Sequence, residues 1–128
     1  MMSALFLNAQ EMELLSCFNS FDVRYLVIGG HAVQFHGHLR PAKDLDIFID
    51  RSDGNPVRVV SALRSLGFFG SKLSANLFSE MKKQIPLGRY QTELLTSPDG
   101  PTFEEAYARR VMANEKGIEA LENGKTAV

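Results

Sequence analysis

The order of apolar and polar positions along the chain predicts an α+β fold. Apolar-rich runs typical of strands occur at residues 25–28, 44–49, 80–87 and 89–96, with Gly88 dividing the last two. In most of the segments between these runs, apolar residues recur every three or four positions, as they do in helices. Because no internal repeat or low-complexity linker interrupts residues 1–128, we expect a single domain with a mixed sheet and helices packed mainly on one face.

Capping residues predict where two of the helices begin. Asn8 is a suitable N-cap for a helix that continues to about Phe18. Thr102, with Glu105 three residues later, forms a capping-box signature for a helix that ends near Arg110. Both helices are therefore expected to start at residues whose side chains accept hydrogen bonds from backbone N–H groups of the first helical turn.

Another helix is expected after the acidic strand, where Ser52 or Asp53 is the predicted N-cap and Gly67 the predicted end. Its apolar positions recur every three or four residues: Val57, Val60, Leu63 and Leu66. Ser74 is expected to start a short helical turn. Residues 111–128 are expected to form a closing hairpin or a tail.

Two carboxylates occur in the run from residue 44 to residue 49. If this run is a strand, Asp44 and Asp46 share one face, because successive side chains point to opposite sides. The opposite face is apolar and has a core to pack on: Leu45, Ile47 and Ile49. Neighbouring carboxylates repel unless a cation lies between them, and oxygen ligands of this kind suit Mg²⁺ or Mn²⁺. The pattern therefore indicates a metal site whose substrate carries phosphates.

A glycine turn precedes this strand. The apolar run at residues 25–28 stops at Gly29 and Gly30, and a short helix is expected over residues 31–36. A glycine turn that opens into a helix presents unpaired N–H groups to an anion such as a phosphate. His31 is adjacent to the turn and could face a bound nucleotide.

Together these motifs resemble the signature of the polymerase-beta-like nucleotidyltransferase superfamily. Its pattern is a strand into Gly-Gly or Gly-Ser, followed after about a dozen residues by Asp-hydrophobic-Asp/Glu. Residues 29–47 are similar, more narrowly, to small minimal nucleotidyltransferases and to toxins of toxin-antitoxin and phage-defence systems. Residues 89–110 resemble the third acidic strand and the following helix of that group, and the resemblance covers most of residues 22–115.

The resemblance implies a nucleotidyltransferase-like fold and a metal-dependent transfer of a nucleoside monophosphate from an NTP to a hydroxyl acceptor. Asp44 and Asp46 would bind two divalent ions, and Glu93 would be the third acid. The ions would stabilise the attacking and leaving oxygens as pyrophosphate departs. The family usually has Asp at the third position, and Glu93 is one methylene longer.

The phosphates of the NTP would be held nearby. The resemblance implies that Gly29 and Gly30 bind the β- and γ-phosphates, with positive charge added by Arg40 or Lys43. Relatives often carry further helices or a second domain, so a protein partner or a homodimer is expected to supply missing surface. An alternative function is a catalytically inactive, antitoxin-like partner module of the same fold.

Composition limits the remaining possibilities. The 128 residues are 45% hydrophobic and carry 14 basic against 15 acidic side chains, a net charge of −1. This near balance disfavours extended nucleic-acid binding. No apolar run approaches the roughly 20 residues of a membrane helix. The single cysteine, Cys17, is compatible with a reducing cytoplasm, so a cytoplasmic location is expected.

The three histidines offer another metal hypothesis. His31, His36 and His38 lie close to Asp44 in sequence and could be taken for a zinc site. The five-residue separation of the first two does not align them on one helix face, and no cysteine accompanies them. A packed or capping role is favoured for His36.

Overall fold

The computed structural model describes residues 3–4, 7–28, 45–97, 102–115 and 118–122. Within these ranges the fold is α+β, as predicted. The strands are β1 (Ser3–Ala4), β2 (Tyr25–Ile28), β3 (Leu45–Ile49), β4 (Gln84–Leu87), β5 (Thr92–Leu95), β6 (Val111–Glu115) and β7 (Ile118–Glu122). The helices are α1 (Ala9–Ser20), α2 (Asn55–Ser65), α3 (Ala75–Ser79) and α4 (Phe103–Ala108). No helix among the described residues is both long and apolar enough to cross a membrane.

The strands form one mixed sheet in the order β1-β6-β7-β2-β3-β5-β4. At its centre β2 pairs antiparallel with β3, and β3 pairs parallel with β5. β4 and β5 form an antiparallel hairpin, and so do β6 and β7. The second hairpin confirms that the chain returns on itself after residue 111. Because β3 lies between β2 and β5, its side chains have a neighbouring strand on both sides.

The main hydrophobic core lies on one face of the sheet. Helices α1 and α2 contribute Leu14, Phe18, Val59 and Leu63, all at most 1% exposed. The sheet contributes Tyr25, Val27, Leu45, Ile47, Ile49 and Leu94. A smaller cluster occupies the other face, where α4 packs on β2 and β3 through Leu26, Phe48, Phe103 and Ala106. Most of the described helical surface therefore covers one face, and α4 covers part of the second.

The predicted helix starts at Asn8 and Thr102 are confirmed. The Asn8 side chain accepts from the N–H of Glu11, and the Glu11 carboxylate accepts from the N–H of Asn8. The same reciprocal box joins Thr102 and Glu105 at the start of α4. Ser74 precedes the short helix α3. Reciprocal hydrogen bonds of the capping box therefore set the starts of α1 and α4, whereas the Ser74 side chain makes no capping hydrogen bond.

The predicted start of α2 is wrong. Its N-cap is Gly54, which has φ +87°, and not Ser52 or Asp53. The Ser52 hydroxyl donates instead to Asp50 at 2.7 Å, which removes it from a capping role. The predicted apolar face is confirmed except at Val57: Leu63 is buried and Val60 and Leu66 pack against the core, whereas Val57 is 58% exposed. The buried positions are Asn55, Pro56, Val59, Ala62 and Leu63.

The strand predicted over residues 80–87 is shorter, since β4 begins at Gln84. Lys82 has φ +59°, which is not a strand conformation. The N–H groups of Lys82 and Lys83 donate to the hydroxyls of Ser97 and Thr96 instead of to a neighbouring backbone. Side-chain acceptors thus end the regular hydrogen-bond ladder before residue 83.

Candidate functional site

Two of the three predicted acidic residues lie opposite each other in the sheet. Asp46 of β3 and Glu93 of β5 are Cα partners in the parallel ladder. Partners in register project to the same face, and adjacent strands are about 4.8 Å apart. The carboxylates of Asp46 and Glu93 therefore share one face on neighbouring strands.

The alternation of β3 confirms the predicted orientation of its side chains. Leu45, Ile47 and Ile49 are 0% exposed and belong to the main core. Asp46 is partly buried and lies on the opposite face of the strand, which it shares with Phe48. Burial of the apolar face fixes the register, because a shift by one residue would put Asp46 into the core.

The strand that precedes the predicted glycine turn ends at the same place. In the antiparallel pairing of β2 with β3, Ile28 lies opposite Asp46. Ile28 is the last residue of β2, so the chain leaves this strand beside the acidic residue. The end of β2, the start of β3 and the middle of β5 thus meet around Asp46.

Several predicted site residues lie outside the described part of the chain. Among the predicted acidic residues this applies to Asp44. The predicted phosphate-binding residues and the histidine alternative are also outside it: Gly29, Gly30, His31, Arg40 and Lys43, together with His36 and His38. The structure therefore brings together Asp46 and Glu93, while the other assignments stay predictions.

Glu93 has a side-chain partner that the sequence did not indicate. Nε2 of Gln84 lies 2.9 Å from each of the two carboxylate oxygens of Glu93. An ionised carboxylate is only an acceptor, so the amide must present its NH₂ group. Gln84 is exposed on β4, which pairs with β5. No local motif in the sequence marks this contact, since it depends on the register of β4 against β5.

Oxygen atoms are the donors that Asp46 and Glu93 offer to a divalent cation. Asp46 and Glu93 supply only oxygen atoms, which suits Mg²⁺ or Mn²⁺ better than softer metals. Across the described ranges, no group of three or more His, Cys, Asp or Glu side chains is placed to hold a metal. Two carboxylates are nevertheless a usual protein contribution to a Mg²⁺ site, because substrate phosphate and water complete it.

A second polar cluster lies at the other end of β3 and was not predicted. Arg24 Nη1 lies 2.8 Å from Oδ2 of Asp50, which is only 4% exposed, and 3.2 Å from Oε2 of Glu104. The guanidinium also stacks on the rings of Phe103 and Tyr107. Partial burial alone would lower the pKa of Arg24, but the hydrogen bond to Glu104 and the charge of Asp50 outweigh it and raise the pKa. The cluster joins α4 to the sheet.

Beside this cluster is an open cleft of about 450 Å³. Its walls include Asp50, Ser52, Thr96 and Glu104, and its apolar side includes Phe48 and Phe103. Asp50 is four residues beyond Asp46, a distance of about 13 Å along an extended strand. The cleft and the acidic pair therefore occupy two ends of the same sheet face.

Comparison with known proteins gives no relative. No family model matches the chain, and no curated protein or solved structure matches it either.

Proposed function

We propose that this protein is a metal-dependent nucleotidyltransferase, which moves a nucleoside monophosphate from an NTP to a hydroxyl acceptor. The observation that carries the proposal is the register that places Glu93 opposite Asp46. The family resemblance implied that these two residues act together, although 47 positions separate them in the chain. A strand that ends at Ile28 beside Asp46 also agrees with a phosphate-binding turn next to the acids.

In this proposal the acids hold the cation and the glycine turn holds the triphosphate. Asp46 and Glu93, with Asp44, would bind Mg²⁺ or Mn²⁺ through carboxylate oxygens. When bound, the ion would align the reactants and stabilise the charge of the departing pyrophosphate. The acceptor hydroxyl would lose its proton to solvent, and its oxygen would form a bond to the α-phosphorus as the bond from that phosphorus to the bridging oxygen of pyrophosphate breaks.

The sheet supplies the rigidity that such a site needs. Leu45 and Ile47, on either side of Asp46, are fully buried, and Thr92 and Leu94, on either side of Glu93, are at most 1% exposed. Functional groups on packed strands are held more accurately than groups on loops. Asp46 and Glu93 therefore have fixed backbones, and only their side chains need to adjust when a substrate binds.

The remaining substrate contacts belong to the same proposal. Gly29, Gly30 and His31 would contact the nucleotide, with Arg40 or Lys43 adding charge at the phosphates. A protein partner or a second copy of the chain would supply further surface for the acceptor. A toxin-antitoxin or defence role is the biological context that the resemblance favours.

A second candidate is a non-catalytic partner module of the same fold. The contact that favours it is the hydrogen bonding of both Glu93 oxygens to Gln84, which gives this carboxylate a partner within the protein. In that case Glu93 would be a structural residue on β5, and a partner protein would be the ligand.

Isothermal titration calorimetry with non-hydrolysable NTP analogues distinguishes the two candidates. Each analogue is titrated with Mg²⁺ or Mn²⁺ into the wild type, Asp46→Asn and the exposed-acid control Asp53→Asn. The proposal predicts metal-dependent binding that Asp46→Asn weakens at least about tenfold and Asp53→Asn leaves unchanged. Absence of binding at millimolar nucleotide with either metal would contradict it and favour the partner module.

A further inference from the structure

Gln84 occupies a specific position relative to the carboxylate of Glu93. Its Nε2 atom is equally distant from both oxygens, at 2.9 Å from each. An atom at equal distance from both oxygens lies on the side where a cation would have to sit to bind both oxygens at once. The amide therefore occupies the bidentate position of Glu93.

The remaining lone pairs of the carboxylate point away from Gln84. A carboxylate has about four acceptor sites on its two oxygens, and the amide uses the two that face each other. A cation can then reach only one oxygen at a time. Gln84 thus leaves Glu93 able to bind a metal with a single oxygen.

Metals differ in how they use a carboxylate. Mg²⁺ requires near-octahedral geometry at short distances, whereas Ca²⁺ takes six to eight oxygens and readily accepts a bidentate carboxylate. We propose that Gln84 is a positioning residue that holds Glu93 as a one-oxygen ligand and so makes the site prefer Mg²⁺ over Ca²⁺. The inference rests on the proposed function, because it requires that Asp46 and Glu93 bind a cation.

The hydrogen bond from Gln84 restricts the Glu93 side chain, which is longer than that of aspartate. The extra methylene relative to aspartate adds a rotatable bond, and an unrestrained glutamate loses more conformational freedom on binding. A hydrogen bond from Gln84 fixes the orientation of the carboxylate before the metal arrives, which lowers that cost. The longer glutamate side chain can thereby present one oxygen to a cation at a fixed place.

Variants of Gln84 are suitable for a test because the side chain is exposed and lies outside both hydrophobic clusters. Gln84→Met keeps the length but removes the donor, and Gln84→Ala removes the side chain. Gln10→Ala, at an exposed position of α1, is the matched control. Urea unfolding of each variant checks that stability is retained.

The experiment is calorimetric titration of Mg²⁺ and of Ca²⁺, each alone, into these variants and into Asp46→Asn. Loss of an outer-shell partner commonly changes metal affinity 10–100-fold. We expect the ratio of the Ca²⁺ to the Mg²⁺ dissociation constant to fall at least about fivefold in both Gln84 variants and to stay unchanged in Gln10→Ala.

Two results would overturn the inference, and they differ in what they imply for the proposed function. If Asp46→Asn abolishes binding but the ratio is the same in wild type and both Gln84 variants, Gln84 has no positioning role and the proposed function survives. If wild type binds neither ion, or if Asp46→Asn has no effect, the two carboxylates do not form a metal site without substrate and the inference fails, whereas the proposed function is then decided by the titration with NTP analogues.

Discussion

Asn55 is a fully buried side chain that connects three elements. Its Oδ1 accepts from the N–H of Arg24 at 2.7 Å, and its Nδ2 donates to the carbonyls of Arg24 and Asp50 at 3.0 and 2.7 Å. These contacts tie the start of β2 and the end of β3 to the first turn of α2. Asn55 therefore bonds the Arg24 N–H and the Asp50 carbonyl, and it shares the Arg24 carbonyl with the N–H of Asp50.

We predict that Asn55→Ala lowers the free energy of unfolding by about 2–4 kcal/mol, because it removes the side-chain partners of the Arg24 N–H and the Asp50 carbonyl. Asn76→Ala, at an exposed position of α3, should change it by less than about 0.5 kcal/mol. Equilibrium urea unfolding measures both. Equal, small effects of the two substitutions would show that the buried network does not stabilise the fold.

Tyr25 carries a titratable group inside the core. It is 0% exposed, and its hydroxyl donates to Oδ1 of Asn19 at 2.9 Å. Burial raises the pKa of Tyr25 well above its ordinary value near 10, while hydrogen bonds to Leu121 and Asn19 act in the opposite direction. The folded state therefore keeps this proton at a pH where the unfolded chain releases it.

The free energy of unfolding of the wild type should therefore fall as pH rises above about 10, because the unfolded state then binds fewer protons than the folded state. Tyr25 contributes up to about 1.4 kcal/mol per pH unit to this fall. Tyr25→Phe should lower the free energy of unfolding by about 1 kcal/mol at pH 8. The variant should also lack the part of the pH dependence that Tyr25 contributes. Urea unfolding from pH 8 to 11 tests this, and parallel pH curves for the two proteins would refute it.

At the scale of elements, helix starts depend on whether the capping side chain is used. The Asn8 side chain accepts from the Glu11 N–H at 2.7 Å, whereas Ser74, the N-cap of α3, makes no such hydrogen bond. Asn8→Ala should destabilise the protein by about 1 kcal/mol, and Ser74→Ala should have almost no effect. Thermal unfolding compares them, and a loss in Ser74→Ala as large as that in Asn8→Ala would contradict the assignment.

The same distinction explains which elements the sequence predicts. The reciprocal pairs Asn8–Glu11 and Thr102–Glu105 are three residues apart, so they are visible in the sequence and were predicted correctly. The start of α2 was not, because Ser52 bonds to Asp50 and Gly54 takes the cap with positive φ. The start of a helix can be predicted from the sequence where the capping side chain has one dominant hydrogen-bond partner. The prediction fails where two partners compete for the same side chain.

In the whole molecule, the two faces of the sheet differ in what they contact. One face packs against α1 and α2 and holds most of the core. The other bears Asp46 and Glu93 at one end, and α4 with the open cleft at the other. The acidic pair and the cleft are therefore separate features of one sheet face.

The candidate site was predictable only in part, for reasons of sequence distance. Strand periodicity alone placed Asp46 opposite the buried face. Its pairing with Glu93, and the contact of Glu93 with Gln84, depend on registers between strands that are far apart or joined by a turn. The cluster of Arg24, Asp50 and Glu104 spans 80 positions and has no local signature.

Asp46 and Glu93 are proposed to bind a divalent cation together. The most direct measurement is Mn²⁺ titration of the isotopically labelled protein, followed by line broadening of backbone amide signals. We predict that the amide signals of residues 45–47 and 92–94 broaden first and that those of Asn55 and Phe103 broaden later. In Asp46→Asn this difference between the two groups of signals should disappear. Earliest broadening around Asp50 and Glu104, or none at all, would contradict the claim.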